Sequence, residues 1–342
     1  MRKRLGAAIV AAALGCGAAQ ATTYSTIYSF GDSLSDAGNV FAATGGAIPA
    51  PSFLSGVPAY FNGRFSNGPN WVDDLSEKLG LGLATPSAGL GDDFAVGGAQ
   101  TGPTSVNPGV PLVDLNYQVQ EFKVLDPSPT PGALYTLDIG ANDIGNALSA
   151  YGSNKSFDLS GFLSSAVANT VSAIDTLYSD GARDLLYYEV PDLSLVPAFE
   201  AGGPLGGELA MQFNYDVLAG IKPLESDGLT VFDVPIFSAL QTIVSYPDRF
   251  GFTNVTSPCI SGNYVSPGTE CADPDQYLFW DDEHPTATGQ ALTADLAYDV
   301  LTGAPDPISA PEASTWAMIL IGFAGLAFAR WRARPARLAR IA

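Results

Sequence analysis

The alternation of short apolar runs with longer helical stretches most constrains how this chain can fold. The apolar, β-branched runs predict strands at Ser25–Phe30, Phe94–Val96, Leu134–Ile139, Leu185–Val190 and Thr230–Val234. The stretches between them predict helices at Trp71–Leu79, Leu112–Leu125, Leu159–Tyr178, Gly207–Ile221 and Thr286–Leu301. Helices that follow strands serve as crossovers and bring successive strands side by side in the same direction. The sequence therefore predicts an α/β fold around a mostly parallel sheet.

The N-terminal segment, residues 1–21, differs from the rest of the chain. It begins with the cationic Met-Arg-Lys-Arg, continues as an apolar, alanine-rich run and ends in Ala-Gln-Ala. This order predicts a secretory signal peptide whose removal leaves Thr22 at the N-terminus. Lipoprotein processing at Cys16 is an alternative, although the preceding residues fit such a site only loosely. We expect an exported protein of the cell envelope, the cell surface or the extracellular space.

Residues 311–342 form a second distinctive segment, in which Pro-Glu-Ala-Ser-Thr precedes an apolar run and five arginines. The apolar run, residues 316–329, is shorter than the roughly 20 residues that a membrane-spanning helix needs. An interfacial or core helix with a basic tail is one interpretation. The segment also resembles the PEP-CTERM sorting signals of bacterial envelope proteins, with Pro-Glu-Ala in place of Pro-Glu-Pro. That resemblance implies cleavage by an exosortase and transient contact with the membrane.

The charge balance argues against a nucleic-acid partner. The chain has 15 Lys and Arg against 35 Asp and Glu, and the two terminal segments hold eight of the cationic residues but only one acidic residue. Residues 22–310 therefore carry a net charge near −27. A surface of this sign repels DNA, RNA and anionic bilayers.

Residues 22–310 are predicted to form one domain, because they contain neither an internal repeat nor a flexible linker. Their only cysteines, Cys259 and Cys271, are twelve positions apart. In an exported protein a local disulfide is the expected state, and two unrelated thiols are the alternative. Two cysteines and the single histidine of the chain fall short of the four ligands of a structural zinc site. We expect no metal and no cofactor.

Three polar clusters follow predicted strands, at Gly31–Asn39, Gly97–Thr101 and Gly140–Asp143. In open parallel sheets this edge is where ligands bind. Ser33 lies in the first cluster, where a tight turn would expose its hydroxyl as a nucleophile. Gly-Asp-Ser is also common in helix caps and Asx turns, so this segment alone leaves both roles open.

His284 is the only histidine in the chain and lies in the segment Asp-Asp-Glu-His-Pro. Asp281, three residues earlier, has the spacing to hydrogen-bond to the imidazole, to orient it and to stabilise its protonated form. His284 would then accept the proton of Ser33. Asp282 and Glu283 are competitors for the role of Asp281, and a histidine at a helix entry without a chemical role is the alternative interpretation.

Two residues in the other clusters are candidates for stabilising an oxyanion. Asn142 offers a side-chain amide, and Gly98 offers a backbone N–H that a substrate can approach closely because glycine has no side chain. Asp143 is the alternative functional residue of its cluster, but its carboxylate would repel an oxyanion.

Together these segments resemble the sequence blocks of the GDSL, or SGNH, hydrolase family. FGDSLSDAGN, FAVGGA, GANDI and DDEHP occur in the family's order. The resemblance implies the flavodoxin-like, three-layer SGNH fold. It implies that Ser33 is the nucleophile, His284 the general base and Asp281 its orienting partner. It further implies an oxyanion hole formed by the N–H groups of Ser33 and Gly98 and by the side chain of Asn142.

The segment NGRFSNGPNW, residues 62–71, resembles one branch of this family, the lipases, lecithinases and haemolysins. The pair Cys259 and Cys271 also resembles that branch, and there it would brace the loop that carries Asp281 and His284. Asp93, directly before FAVGGA, departs from the branch, which usually has asparagine at this position.

The sequence thus predicts an exported hydrolase of lipid or fatty-acyl esters that works through an acyl-enzyme on Ser33. The aromatic residues between Phe53 and Trp71 would bind an acyl chain, or would pack beneath a long loop. Removal of O-acetyl groups from extracellular polysaccharide is a second hypothesis, and a non-catalytic surface or matrix protein on a hydrolase fold is a third. The sequence contains no G-x-S-x-G, P-loop or H-E-x-x-H motif, which argues against the chemistries that use them.

Overall fold

The computed structural model of the chain describes residues 24–304, except 54, 58, 103–113 and 127. The predicted signal peptide, residues 1–21, and the predicted sorting segment, residues 311–342, lie outside the described residues. The predicted start of the second helix at Leu112 does so as well. Within the described part of the chain, no helix combines the length and apolarity needed to cross a membrane.

Four parallel strands form the central sheet. They are β1 (Ile27–Gly31), β2 (Leu134–Asp138), β3 (Asp184–Tyr188) and β4 (Thr230–Val234), and they lie side by side in that order. Four of the five predicted strands are therefore confirmed, with ends that shift by no more than two residues. Every residue of β1 and β2 is buried, as expected for strands covered on both faces of a sheet.

The remaining predicted strand, Phe94–Val96, is not a regular strand. It runs parallel to the outer side of β1, and its Phe94 and Val96 N–H groups donate to the carbonyls of Ser29 and Gly31 at 2.7 and 3.1 Å. The bridge between Asp93 and Ser29 is isolated. The ladder ends there because Gly97 and Gly98 lie in a turn, with Gly98 at a φ of 81°.

Eight α-helices occur in the described residues. They are α1 (Asn39–Ala43), α2 (Trp71–Lys78), α3 (Leu115–Leu125), α4 (Ala141–Ser153), α5 (Leu159–Ser179), α6 (Pro204–Ser226), α7 (Ile236–Ser245) and α8 (Ala287–Thr302). α2 packs against α8, which contacts β3 and β4, whereas α5 packs against α6 and α4 contacts both. These helix groups and the parallel sheet form the layered α/β architecture that the sequence predicts.

The sequence prediction missed α1, α4 and α7. α4 contains glycine, asparagine and serine residues of low helix propensity, and it is stabilised by packing. A Cβ atom on its Gly145 would lie 2.5 Å from the ring of Phe199, so the glycine permits a close contact with the chain that follows β3. Tertiary packing thus outweighs the local preference of this segment.

A small accessory region precedes α8. The strand β5 (Asn254–Pro258) pairs in parallel with β8 (Tyr277–Phe279), and β6 (Ile260–Gly262) pairs antiparallel with β7 (Pro267–Glu270). The predicted disulfide between Cys259 and Cys271 is present and joins two Cα atoms 4.9 Å apart. The Cys259 N–H donates to the carbonyl of Phe279 at 2.9 Å, so the disulfide-linked hairpin is attached to the strand that leads into Asp281.

Candidate active site

Ser33 lies in the turn that directly follows β1. The turn begins at Gly31, where a Cβ atom would lie 1.6 Å from the Oδ1 atom of Asp138, and its φ of 150° also favours glycine. The N–H of Asp32 donates to the same Oδ1 atom at 3.2 Å. The close approach of Gly31 and Asp138 therefore sets the path on which the chain presents Ser33 at the carboxyl edge of the sheet.

Ser33, His284 and Asp281 form a continuous hydrogen-bonded series. Nε2 of His284 is 2.8 Å from the Oγ atom of Ser33. Nδ1 of His284 is 2.8 and 2.9 Å from the two carboxylate oxygens of Asp281. The imidazole is 2 % exposed and Asp281 is fully buried. The structure thus brings the three predicted residues together in the order that proton transfer from a serine requires.

The loop between β8 and α8 fixes the orientation of Asp281. Its Oδ1 atom accepts hydrogen bonds from the backbone N–H groups of Glu283 and His284 at 2.9 and 2.8 Å. The Trp280 N–H donates to the carbonyl of His284 at 2.7 Å and closes the same turn. The side chains of Asp282 and Glu283, the competing candidates, make no hydrogen bond to the imidazole in the described structure.

The segment NGRFSNGPNW supports the histidine from the other side. The ring of Phe65 lies 5.0 Å from the imidazole ring, centroid to centroid. Ser66 donates to the carbonyl of Pro285 at 3.0 Å, and Asn67 accepts from the N–H of Ala287 at 2.7 Å. This segment therefore positions His284 and the start of α8.

Electrostatics favour a charged pair in this buried location. Burial disfavours the charge on His284, but Asp281, and to a smaller extent Glu283 and Asp32, outweigh it and raise the pKa of His284 to about 9. Burial likewise opposes the charge on Asp281, but His284 and the hydrogen-bond donors around the carboxylate hold the pKa of Asp281 below its usual value. Each partner thus stabilises the charged form of the other.

The predicted oxyanion donors lie on three loops at the same edge of the sheet. Ser33 follows β1, Gly98 follows the segment beside β1, and Asn142 lies at the start of α4. Among the described residues, the N–H groups of Ser33 and Gly98 have no acceptor in the protein. The amide of Asn142 donates to Asp32 at 3.2 Å and to the carbonyl of Ala99 at 3.1 Å. In the described structure, the N–H groups of Ser33 and Gly98 are thus free to bind an oxyanion, whereas the Asn142 amide is hydrogen-bonded to acceptors of the protein.

Three buried carboxylates hold these loops together. The sequence prediction did not single out Asp36, and it did not include this supporting role for Asp93 or Asp143. Asp36 accepts from the N–H of Gly97 at 2.8 Å and from N–H groups at the start of α1. Asp93, the departure from the family pattern, accepts from the N–H of Ala37 at 2.6 Å. Asp143 accepts twice from Thr101, at 2.7 and 3.0 Å. Asp143 therefore supports the loop that carries Gly98. The sequence signal that could have indicated these roles is the location of two of the residues: Asp36 lies within FGDSLSDAGN, and Asp93 directly precedes FAVGGA.

The aromatic residues of the loop before α2 are mostly structural. Phe53, Tyr60, Phe65 and Trp71 are all buried, so packing beneath the loop is the interpretation that the structure favours. Tyr60 also has a polar contact that the sequence did not suggest, because its hydroxyl donates to the Oδ2 atom of Asp281 at 2.7 Å.

An apolar cleft of about 60 Å³ lies beside the site. Its lining includes Leu34, the residue after Ser33, and Glu283 and Pro285, which flank His284. Further walls come from α7 and β8 through Ile236, Ala239, Leu240, Ile243, Leu278 and Phe279. Apolar space is therefore lined by the sequence neighbours of both the serine and the histidine.

These observations define a class of protein. A serine that is hydrogen-bonded to a buried His–Asp pair, beside unpaired backbone donors at the carboxyl edge of a parallel sheet, is the arrangement of a serine hydrolase. Within the described residues, no group of three or more His, Cys, Asp or Glu side chains is placed to hold a metal ion.

The chain belongs to the GDSL-like lipase/acylhydrolase family, whose family model matches residues 27–297. It is therefore a carboxylic-ester hydrolase. It is 29% identical over 255 residues to a phosphatidylcholine-sterol acyltransferase of Aeromonas hydrophila, a match that covers 71% of this chain and 67% of the relative. It is 26% identical over 291 residues to a thermolabile hemolysin of Vibrio parahaemolyticus, covering 79% of this chain and 62% of the relative. The chain thus spans less than two thirds of that second relative.

Among solved structures, an α/β hydrolase enzyme from the metagenome of Lake Arreo, Spain, aligns with a TM-score of 0.46. The sequence identity is 12%, and the alignment covers 84% of this chain and 99% of that chain.

Proposed function

We propose that this chain is an exported serine esterase that hydrolyses lipid or fatty-acyl esters through an acyl-enzyme on Ser33. The observation that carries the proposal is the 2.8 Å contact between the Ser33 hydroxyl and Nε2 of His284, backed by Asp281. The proposed export rests on the sequence of residues 1–21.

The reaction follows from this geometry in two halves. His284 accepts the Ser33 proton at Nε2 while Oγ forms a bond to the ester carbonyl carbon. The oxyanion lies near the N–H groups of Ser33 and Gly98, and the Asn142 amide completes the site by exchanging a protein acceptor for the oxyanion. When the intermediate collapses, His284 donates its proton to the leaving alcohol. Water then attacks the acyl-enzyme by the same steps, and the carboxylic acid is released.

The apolar cleft lined by Leu34, the residue after Ser33, supports an acyl substrate. Its aliphatic and aromatic lining would stabilise a hydrocarbon chain by about 0.8 kcal/mol for each methylene group that it buries. The name of the Aeromonas hydrophila relative, a phosphatidylcholine-sterol acyltransferase, is consistent with a fatty-acyl substrate here.

The test is hydrolysis of p-nitrophenyl acetate, butyrate, octanoate and palmitate by the full chain and by its Ser33→Ala variant. We expect activity that is lost in the variant, and a higher kcat/KM for octanoate than for acetate. Ala239→Phe fills the cleft, so it should reduce octanoate hydrolysis selectively. Acetate hydrolysis by the same variant is the control for its folding.

Other results would support the competing functions. Hydrolysis confined to acetate, together with release of acetate from acetylated polysaccharide, would support the O-acetyl esterase hypothesis. A folded protein in which wild type and Ser33→Ala are equally inactive toward every ester would support a non-catalytic surface protein and refute the proposal.

A further inference from the structure

Tyr60 is in direct contact with the buried carboxylate of the site. Its hydroxyl donates to Oδ2 of Asp281 at 2.7 Å, and its side chain is 3 % exposed. Its ring packs edge-on against Trp280 with a centroid distance of 6.3 Å. Phe53, Cys259 and Ile260 belong to the same apolar cluster. Packing therefore fixes the hydroxyl where it meets Asp281.

The two oxygens of Asp281 differ in their partners. Oδ1 accepts from two backbone N–H groups in addition to the imidazole, whereas Tyr60 is the only donor besides the imidazole that reaches Oδ2 among the described residues. A hydrogen-bond donor takes up part of the charge of a carboxylate. Burial and the charge of Asp281 raise the pKa of Tyr60 far above its usual value, so this donor keeps its proton throughout the working pH range.

We propose that Tyr60 is a positioning residue of the reaction proposed above, on which this inference rests. By donating to Oδ2, it fixes the plane of the Asp281 carboxylate and shares its negative charge. The imidazole of His284 consequently releases its proton more readily than it would beside an unshared carboxylate. Tyr60 thereby increases the fraction of enzyme that has a neutral base at neutral pH.

Other titratable groups near the imidazole make no hydrogen bond in the described structure to the Tyr60 hydroxyl, which bonds to Asp281. Glu283 lies on the same loop as His284, and Asp32 faces it from the turn after β1. Asp282 acts electrostatically on Tyr60. The Tyr264 ring lies 6.1 Å from the imidazole ring, centroid to centroid. A shift in the titration of His284 on removal of the Tyr60 hydroxyl therefore reports the missing hydrogen bond.

The single histidine of the chain permits a direct test. The full chain is labelled with ¹³C,¹⁵N-histidine, and the one imidazole is titrated by NMR in wild type, Tyr60→Phe and Tyr187→Phe. Tyr187 is the matched control, because it is also buried and its hydroxyl bonds instead to Asn214 at 3.2 Å. We expect Tyr60→Phe to raise the midpoint by about 0.5–1 pH unit and Tyr187→Phe to leave it unchanged.

Kinetics provide the second measurement. The pH profile of kcat/KM for p-nitrophenyl butyrate should shift upward by the same amount, with roughly a three- to tenfold loss at pH 7. A midpoint that stays within the range of the Tyr187→Phe control, or that falls, overturns the proposal. If Tyr60→Phe does not fold, Tyr60→Met is titrated against the same expectation. The NMR titration needs no turnover, so a wild type that hydrolyses no ester would refute the proposed function and still decide the role of Tyr60.

Discussion

Replacing Asp281 with asparagine removes the charge that the site uses to hold a protonated imidazole. The pKa of His284 is raised from 6.5 to about 9 although burial acts in the opposite direction. That difference corresponds to about 3 kcal/mol of stabilisation of the imidazolium form. Asp281 is the largest of the groups that raise this pKa, and Glu283 and Asp32 contribute smaller parts. We expect Asp281→Asn to reduce kcat by about 10²-fold when it is measured above about pH 9, because there the resting imidazole is neutral and the imidazolium forms only as Ser33 attacks.

The assay is steady-state hydrolysis of p-nitrophenyl butyrate, combined with an NMR titration of the single histidine. Asp282→Asn is the matched control, because it removes a neighbouring charge that makes no hydrogen bond to His284 in the described structure; it should retain activity within about threefold. A loss below about tenfold in Asp281→Asn, or a His284 titration midpoint that remains near 9, would refute the reasoning.

Four further predictions follow from the site and its supports. First, kcat/KM should rise about tenfold per pH unit and level off above about pH 9, since His284 must be neutral to accept a proton; a profile that is flat from about pH 6 to 9 would contradict this. Second, Asn142→Ala should lower kcat by roughly 10²–10³-fold with little change in KM; a change confined to KM would remove Asn142 from the oxyanion hole. Third, burial and then the charge of Asp32 hold the pKa of Asp138 well above its usual value of 3.8. The folded state therefore keeps a proton that the unfolded state has lost, and stability falls as the pH rises above 3.8. Asp138→Asn removes this pH dependence, so the Tm of the variant minus that of wild type should increase from about pH 5 to 8. A Tm difference that stays constant or decreases over this range would contradict the prediction. Fourth, replacing Cys259 and Cys271 by serine should cost about 3 kcal/mol in the free energy of unfolding, which urea denaturation measures, with dithiothreitol-treated wild type as the comparison.

The sequence was sufficient to predict the α/β class, because apolar runs and helical periodicity are local signals. Its motifs also identified Ser33, Asp281 and His284, which the structure places within hydrogen-bonding distance of one another. The prediction of secondary structure from the sequence was weaker where the local preference of a segment and its tertiary packing disagree. The Phe94–Val96 segment has the composition of a strand, but the Gly97–Gly98 turn ends its pairing with β1.

The supports of the site depend on contacts between distant parts of the chain. Tyr60 and Asp281 are 221 positions apart, and Asp93 and Ala37 are 56 apart. No local spacing in the sequence encodes such contacts. The sequence of an aromatic loop looks the same whether its tyrosine only packs in the core or also donates a hydrogen bond to a carboxylate. The sequence by itself predicted the class of fold and the residues that are proposed to react, because both predictions depend on short motifs and periodicity. Only the tertiary structure decided how the carboxylate is oriented and which donors remain unpaired, because burial and long-range hydrogen bonds arise when the loops meet.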